Sequence, residues 1–155
     1  MSGAFHWIRV RLFCYSTENE QKLEELMEMI TGTSEFVREY TDGHHGNSIT
    51  IFDCELTKDA PVRKMFSNLG TDVLDDIRSE LEEKIDEDCV FYTRLDKQKA
   101  VQGEFVTGHR GDVISITGKL VSHPAKKNVA VRNMVSFLDS LRTNDTNTVD
   151  TSVLR

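Results

Sequence analysis

Phe5-His6-Trp7-Ile8-Arg9-Val10-Arg11-Leu12-Phe13-Cys14-Tyr15 alternates along its whole length, and that alternation decides what kind of fold the chain can adopt. His6, Ile8, Val10, Leu12 and Cys14 fall on one side of an extended segment, and Trp7, Arg9, Arg11, Phe13 and Tyr15 on the other. The first side is a core face. The second mixes aromatic rings with guanidinium groups, and two readings of it stand side by side. Left open, it can stack unpaired bases and pair with phosphates, each stacked base contributing about 1–3 kcal/mol. Covered by helices, Trp7 and Phe13 become core and the arginines reach out to the edge, although Arg9 and Arg11 are costly to bury unpaired.

Working outward, Ser16-Thr17-Glu18-Asn19 supplies helix-capping residues, and Leu23, Leu26, Met27 and Ile30 recur at helical spacing until Gly32. Residues 36–40 and 48–56 are rich in β-formers and flank Thr41-Asp42-Gly43-His44-His45-Gly46-Asn47, so a hairpin is expected. Asp59-Ala60-Pro61 opens a second helix, closed by Gly70. Thr71-Asp72 begins an acidic helix with Leu74, Ile77, Leu81 and Ile85 as its inward stripe. A strand over 89–95, a short helical turn over 96–100, a glycine-punctuated connection over 103–111, a strand over 113–121 and a helix from Lys126 to about Leu141 follow. Beyond Arg142 the polar run Thr143-Asn144-Asp145-Thr146-Asn147-Thr148 has no apolar period and reads as a disordered tail over 143–155. This order predicts one α+β domain over 1–142: a mostly antiparallel sheet with helices packed on one face.

Composition narrows the function. A chain of 155 residues buries a core without staples, and Cys14, Cys54 and Cys89 lie far apart in apolar runs, which reads as three buried, reduced thiols in a cytoplasmic protein. The longest apolar stretches are too short to span a bilayer. The formal charge of -7 is uneven: residues 72–88 carry nine acids against Arg78 and Lys84, whereas residues 91–142 carry nine bases against four acids. One acidic helix can therefore hide a basic face elsewhere.

Enzymatic chemistry finds little support. His44 and His45 are the candidates for a metal-dependent enzyme, with Asp42 or Asp53 beside them, but adjacent histidines on a strand point to opposite faces and no third histidine lies nearby. No cysteine has a base at hand, and Gly103, Gly108 and Gly111 match neither a Walker loop nor a dinucleotide fingerprint. No catalytic residue, metal ligand or cofactor is assigned. Tyr92-Thr93-Arg94-Leu95-Asp96-Lys97-Gln98-Lys99-Ala100 instead ends a strand in a basic, amide-bearing turn that offers lysine and backbone N–H groups to a phosphate, with Asp96 as helix cap.

The aromatic and basic first strand, Gly43-His44-His45-Gly46-Asn47, Arg94-Leu95-Asp96-Lys97-Gln98-Lys99-Ala100, and Gly111-Asp112 before the last strand, in that order, resemble the archaeal RNA-binding family described as predicted exosome subunits. The likeness covers nearly the whole chain up to the last helix. It implies a fold similar to the ribosomal protein called L-five and a non-catalytic role in archaeal RNA processing, linked to the exosome or the ribosome. The family positions carried over are Gly43, His44, His45, Gly46, Asn47, Arg94, Asp96, Lys97, Gln98 and Ala100; Ser48 stands where many members place proline. The expected RNA contacts are phosphates at Arg9, Arg11, Arg94, Lys97, Lys99, Lys126 and Lys127, and shorter-range hydrogen bonds at His44, His45, Asn47 and Gln98. The alternative of another class is a protein-interaction module that docks a basic partner, such as a ribosomal or exosome protein, through the acidic helix.

Overall fold

The computed structural model describes residues 3–43, 46–109 and 111–153, with side chains through Arg142. Five strands form a single sheet in the order β2-β3-β1-β5-β4, with every neighbouring pair antiparallel. They are β1 (Phe5–Tyr15), β2 (Val37–Asp42), β3 (Ser48–Leu56), β4 (Val90–Asp96) and β5 (Val113–Leu120). The long alternating segment β1 is the central strand. Its Ile8, Val10, Leu12 and Cys14 are buried, together with Phe52 and Cys54 of β3, Phe91 and Leu95 of β4, and Ile114 and Ile116 of β5.

Helices cover that apolar face. α1 (Glu20–Thr31) starts where Asn19 accepts from the Lys22 amide at 3.2 Å, buries Leu23, Leu26, Met27 and Ile30, and ends at Gly32 with φ 76°. α2 (Asp59–Asn68) contributes Val62, Met65 and Phe66. At one end of the core Phe5, Phe66 and Phe137 gather with centroids 5.2–5.6 Å apart, in stacked and edge-on pairs. Gly118 makes room for this cluster, because a Cβ there would collide with Ile8 and Phe5. Cys14, Cys54 and Cys89 are free and buried.

Two local expectations give way. A register shift in β1 between Phe5 and Trp7 turns Phe5 into the core and leaves His6 exposed, so strict alternation begins only at Trp7. The acidic run is not one helix: α3 (Thr71–Ser79) stops at Glu80, whose φ is -122°, and α4 (Leu81–Lys84) is a single turn. After it the Asp86 carboxylate accepts from the amides of Asp88 and Val90, bending the chain into β4. α5 (Lys97–Val101) begins on Asp96, which accepts from the Lys99 amide at 2.9 Å as a helix cap does. The backbone of α6 spans Lys127–Val153, anchored in the core by Ala130, Met134, Phe137 and Leu141.

Candidate nucleic-acid interface

The face of the sheet opposite the helices is open. Arg9 and Arg11 keep 51% and 46% of their side-chain surface, Phe13 and Tyr15 are 38% and 40% exposed, and Trp7 is half-buried. Of the two readings of this strand, the open one is correct. Neighbouring strands extend the surface with residues of the same parity. Arg9 lies opposite Glu55 on one side and Thr117 on the other, while Arg11 lies opposite Asp53 and Ser115. One strand further out, Tyr92 faces Thr117 and Arg94 faces Ser115. The result is a platform of Trp7, Phe13, Tyr15 and Tyr92 interleaved with Arg9, Arg11, Arg94 and Lys119.

Fixed carboxylates orient its cations. Arg9 Nε and Arg11 Nε lie 3.4 and 3.2 Å from the two oxygens of Asp53, and Arg9 Nη2 reaches Glu55 at 3.3 Å. The Arg9 guanidinium also rests 5.8 Å from the centre of the Trp7 ring. These pairs are solvent-exposed and add little stability, but they hold planar donor groups in register across the strands. Arg94 donates to the His109 carbonyl at 3.4 Å.

Lys97 is a correction. It is fully buried, and Nζ donates to the Phe13 carbonyl at 2.5 Å and to Glu18 Oε1 at 2.7 Å, with Asp112 Oδ1 at 3.0 Å. The Tyr15 ring covers it, 4.8 Å from Nζ to the centroid. An ammonium that is fully buried, donates to two acceptors and pairs with a second carboxylate inside the protein cannot reach a phosphate, so Lys97 leaves the set of contact residues and becomes the bolt that joins β1, α5 and the start of β5. Gln98 is exposed and works beside it, donating to Glu18 at 3.2 Å and to Asp112 at 2.8 Å. Burial pushes the Glu18 carboxyl upward, but hydrogen bonds from Lys97, the Tyr15 amide and Gln98, with the Lys97 charge, outweigh it and leave the pKa below its ordinary value.

The remaining candidates divide by position. Antiparallel topology brings the β2–β3 hairpin, the end of β1, the start of β5 and the β4–α5 corner to one end of the sheet. Asn47 is exposed there, next to the Gly43 amide that donates to its carbonyl at 2.6 Å; His44 and His45 lie outside the described residues. Lys99 is exposed on α5 at the same end. Lys126 and Lys127 follow the other end of β5, and Lys127 lies 3.9 Å from Glu82. They are separated from the Gln98 corner by the length of β5. Among the described residues no three His, Cys, Asp or Glu side chains converge as a metal site, and no helix is long and apolar enough to cross a membrane.

Sequence reasoning missed Asp53, Glu55, Ser115, Thr117 and Lys119 as parts of this face. Parity along the strands carries the signal, but it becomes useful only when the strand order is known.

The architecture defines the class: a single-domain α+β protein whose antiparallel sheet is clad in helices on one face and presents rings and guanidinium groups on the other. The chain belongs to the RNA-binding family whose model, described as "RNA binding", matches residues 7–120. It is 34% identical over 144 residues to the RNA-binding protein PAB1135 of Pyrococcus abyssi, covering 86% of this chain and 94% of that one. Mth689, a DUF54 protein from Methanothermobacter thermautotrophicus, superposes with a TM-score of 0.75 at 34% identity, over 87% of this chain and 98% of that one. SSO0741 from Sulfolobus solfataricus shares the fold at 22% identity, with a TM-score of 0.58 over 86% and 98% of the two chains.

Proposed function

We propose that this protein binds RNA without chemistry, on the open face of its sheet, in archaeal RNA processing linked to the exosome or the ribosome. The observation that carries the reading is the uncovered platform, where Phe13, Tyr15 and Tyr92 are exposed beside Arg9, Arg11 and Arg94. A protein that had no ligand for this face would not be expected to expose three rings along one side of its sheet. Family membership and the name of the Pyrococcus relative support RNA as the ligand. The antiparallel sheet with helices on one side is compatible with the expected likeness to the ribosomal protein L-five. Arg9, Arg11, Arg94 and Lys99 supply phosphate contacts in this reading, with Asn47, Gln98, His44 and His45 adding hydrogen bonds at the hairpin end. Lys126 and Lys127 extend the contact around the far end of β5.

Replacing Arg9 and Arg11 together by alanine tests it. RNA affinity should fall by at least tenfold, and the slope of log affinity against log salt should lessen by about 1.4, two phosphates at about 0.7 each for a single strand. Thermal stability should change little, because both arginines are exposed. Unchanged affinity with an unchanged salt slope would remove the face from consideration. In that event the exposed acids Glu82, Glu83, Glu87 and Asp88, on α4 and the turn after it, would make docking of a basic protein the better reading.

A further inference from the structure

Where β1 and β5 part at the hairpin end of the sheet, a concavity of about 150 Å³ opens on the platform between Phe13, Tyr15, Arg11, Ser115 and Asp112. Its size excludes a drug-sized ligand or a whole nucleoside triphosphate and suits one flat heterocycle. Two rings, on the same side of β1 and two residues apart, border it. Resting on the RNA-binding reading, the geometry points to a pocket for a single unpaired guanine of a single-stranded RNA.

Guanine is distinguished by what its polar edge requires. Its N1–H and N2–H groups are adjacent donors that match the two oxygens of one carboxylate, while O6 is an acceptor beside them. Asp112 is that carboxylate. It is held in place by the Lys97 ammonium at 3.0 Å, by Gln98 Nε2 donating at 2.8 Å, and by the Lys97 amide donating to its carbonyl at 3.1 Å. Each oxygen has one of its two lone pairs engaged by these donors and can accept from a base as well. The Asp112 side chain retains 28% of its surface, so it is reachable from the pocket. Arg11 supplies the complementary donors. Its Nε is tied to Asp53, which fixes the plane of the guanidinium and leaves one terminal nitrogen to meet O6 or N7 and the other to meet a phosphate of the same strand. Uracil and adenine do not present two adjacent donors with a neighbouring acceptor, and cytosine offers a single amino group. Gly111, at φ 79°, makes the turn that delivers Asp112 to the rim, and nothing approaches within 4 Å of the position a Cβ would take there. The Lys97 bolt is therefore a positioning residue for this pocket.

The test uses the full chain and fluorescent heptamers of single-stranded RNA, three uridines on each side of a central G, A, C, U or inosine, with anisotropy read at two salt concentrations. The G heptamer should bind about tenfold more tightly than the U heptamer, and inosine, which lacks the N2 amine, should fall between them. Asp112→Asn, checked by its thermal melt, should abolish the difference between G and the other bases while retaining a basal, salt-dependent affinity. Ser115→Phe, which fills the concavity from a half-buried strand position on its lining, should do the same if the Asn variant folds poorly. Equal affinities for all five heptamers would overturn the guanine pocket and leave the RNA reading standing. Absence of binding to any heptamer and to long RNA at low salt would overturn both. Guanosine monophosphate alone should compete only weakly; competition at the heptamer's own dissociation constant would identify a free nucleotide as ligand and refute the RNA-borne base.

Discussion

Lys97→Met removes a charge from the interior while keeping most of the side chain's length and apolar volume, so the consequence can be worked from three contacts. The ammonium donates to the Phe13 carbonyl and to Glu18 and lies within bonding distance of Asp112, at 2.5, 2.7 and 3.0 Å. Hydrogen bonds involving a charged group contribute about 1.5–3 kcal/mol each when a partner is lost in a buried setting. Glu18 and Asp112 retain 18% and 28% of their side-chain surface and can recover water, whereas the Phe13 carbonyl beneath the Tyr15 ring is less able to. The estimate therefore lies at the lower end of the range for breaking a buried pair, about 3 kcal/mol. For a chain of this length each kcal/mol moves the melting temperature by about 2–4 °C, which predicts a fall of roughly 6–12 °C. The assay is thermal unfolding by circular dichroism, with Glu18→Gln and the double variant alongside. Coupling requires the second change to cost much less when Lys97 is already gone. A Lys97→Met melt within about 2 °C of the parent would refute the claim that this ammonium holds the corner together.

Glu18 titrates below its ordinary value of 4.5, so its contribution is complete above that value and is lost as pH falls through the lower folded value. The melting temperature should decline as pH is lowered below about 4.5, and Glu18→Gln should flatten that decline. Tyr92→Ala should weaken single-stranded RNA binding by about 1–3 kcal/mol if a base stacks there. Tyr40→Ala, which removes a still more exposed ring whose strand position faces the helix side of β2, should have no effect in the same filter-binding titration. Burial raises the thiol pKa of Cys14 and Cys54, and Cys89 is buried too, so a disulfide-exchange reagent should label no cysteine in the native protein and three after denaturation.

The architecture was largely legible because its signals are local. Alternation from Trp7 to Tyr15 reports a strand with two unlike faces; Asn19 and Asp96 mark helix starts by accepting from nearby amides, and Gly32 marks a helix end by donating to the Glu28 carbonyl. What could not be read depends on distant partners. Lys97 looks like a surface lysine because Glu18 is 79 residues away and Asp112 is 15 residues ahead; their convergence exists only after β4, β5 and β1 pair. Ile77, Leu81 and Ile85 keep helical spacing across Glu80, so the break between α3 and α4 leaves no trace in the apolar pattern. The shift that exchanges Phe5 for His6 depends on the packing of Phe5 against Phe66 and Phe137 and on the space left by Gly118. For the candidate face, the row of β1 was visible, but the acids that orient Arg9 and Arg11 come from β3 and become neighbours only through register.

The excess negative charge bears on how this face can recognise anything. Residues 72–88 account for a charge of -7, equal to that of the whole chain, and belong to α3, α4 and the turn before β4, with Asp75 and Asp139 taken up by Arg142 and Arg78. On the sheet face Arg9, Arg11, Arg94 and Lys119 are offset by Asp53 and Glu55, which lie within the same rows. Such a surface exerts no long-range field beyond roughly a Debye length of about 8–10 Å, so attraction from a distance contributes little. Affinity must then come from contacts made after arrival: rings stacked on bases, a guanidinium whose plane is fixed, and a carboxylate whose position is fixed. A polyanion that offers only phosphates to such a face is a poor ligand, and duplex RNA offers little more than phosphates and 2′-hydroxyls. Strands with exposed bases satisfy the rings and the fixed polar groups together. A modest salt slope combined with a clear preference for unpaired over paired RNA is thus the signature this charge arrangement requires, and tight, steeply salt-dependent binding to duplex RNA would contradict it.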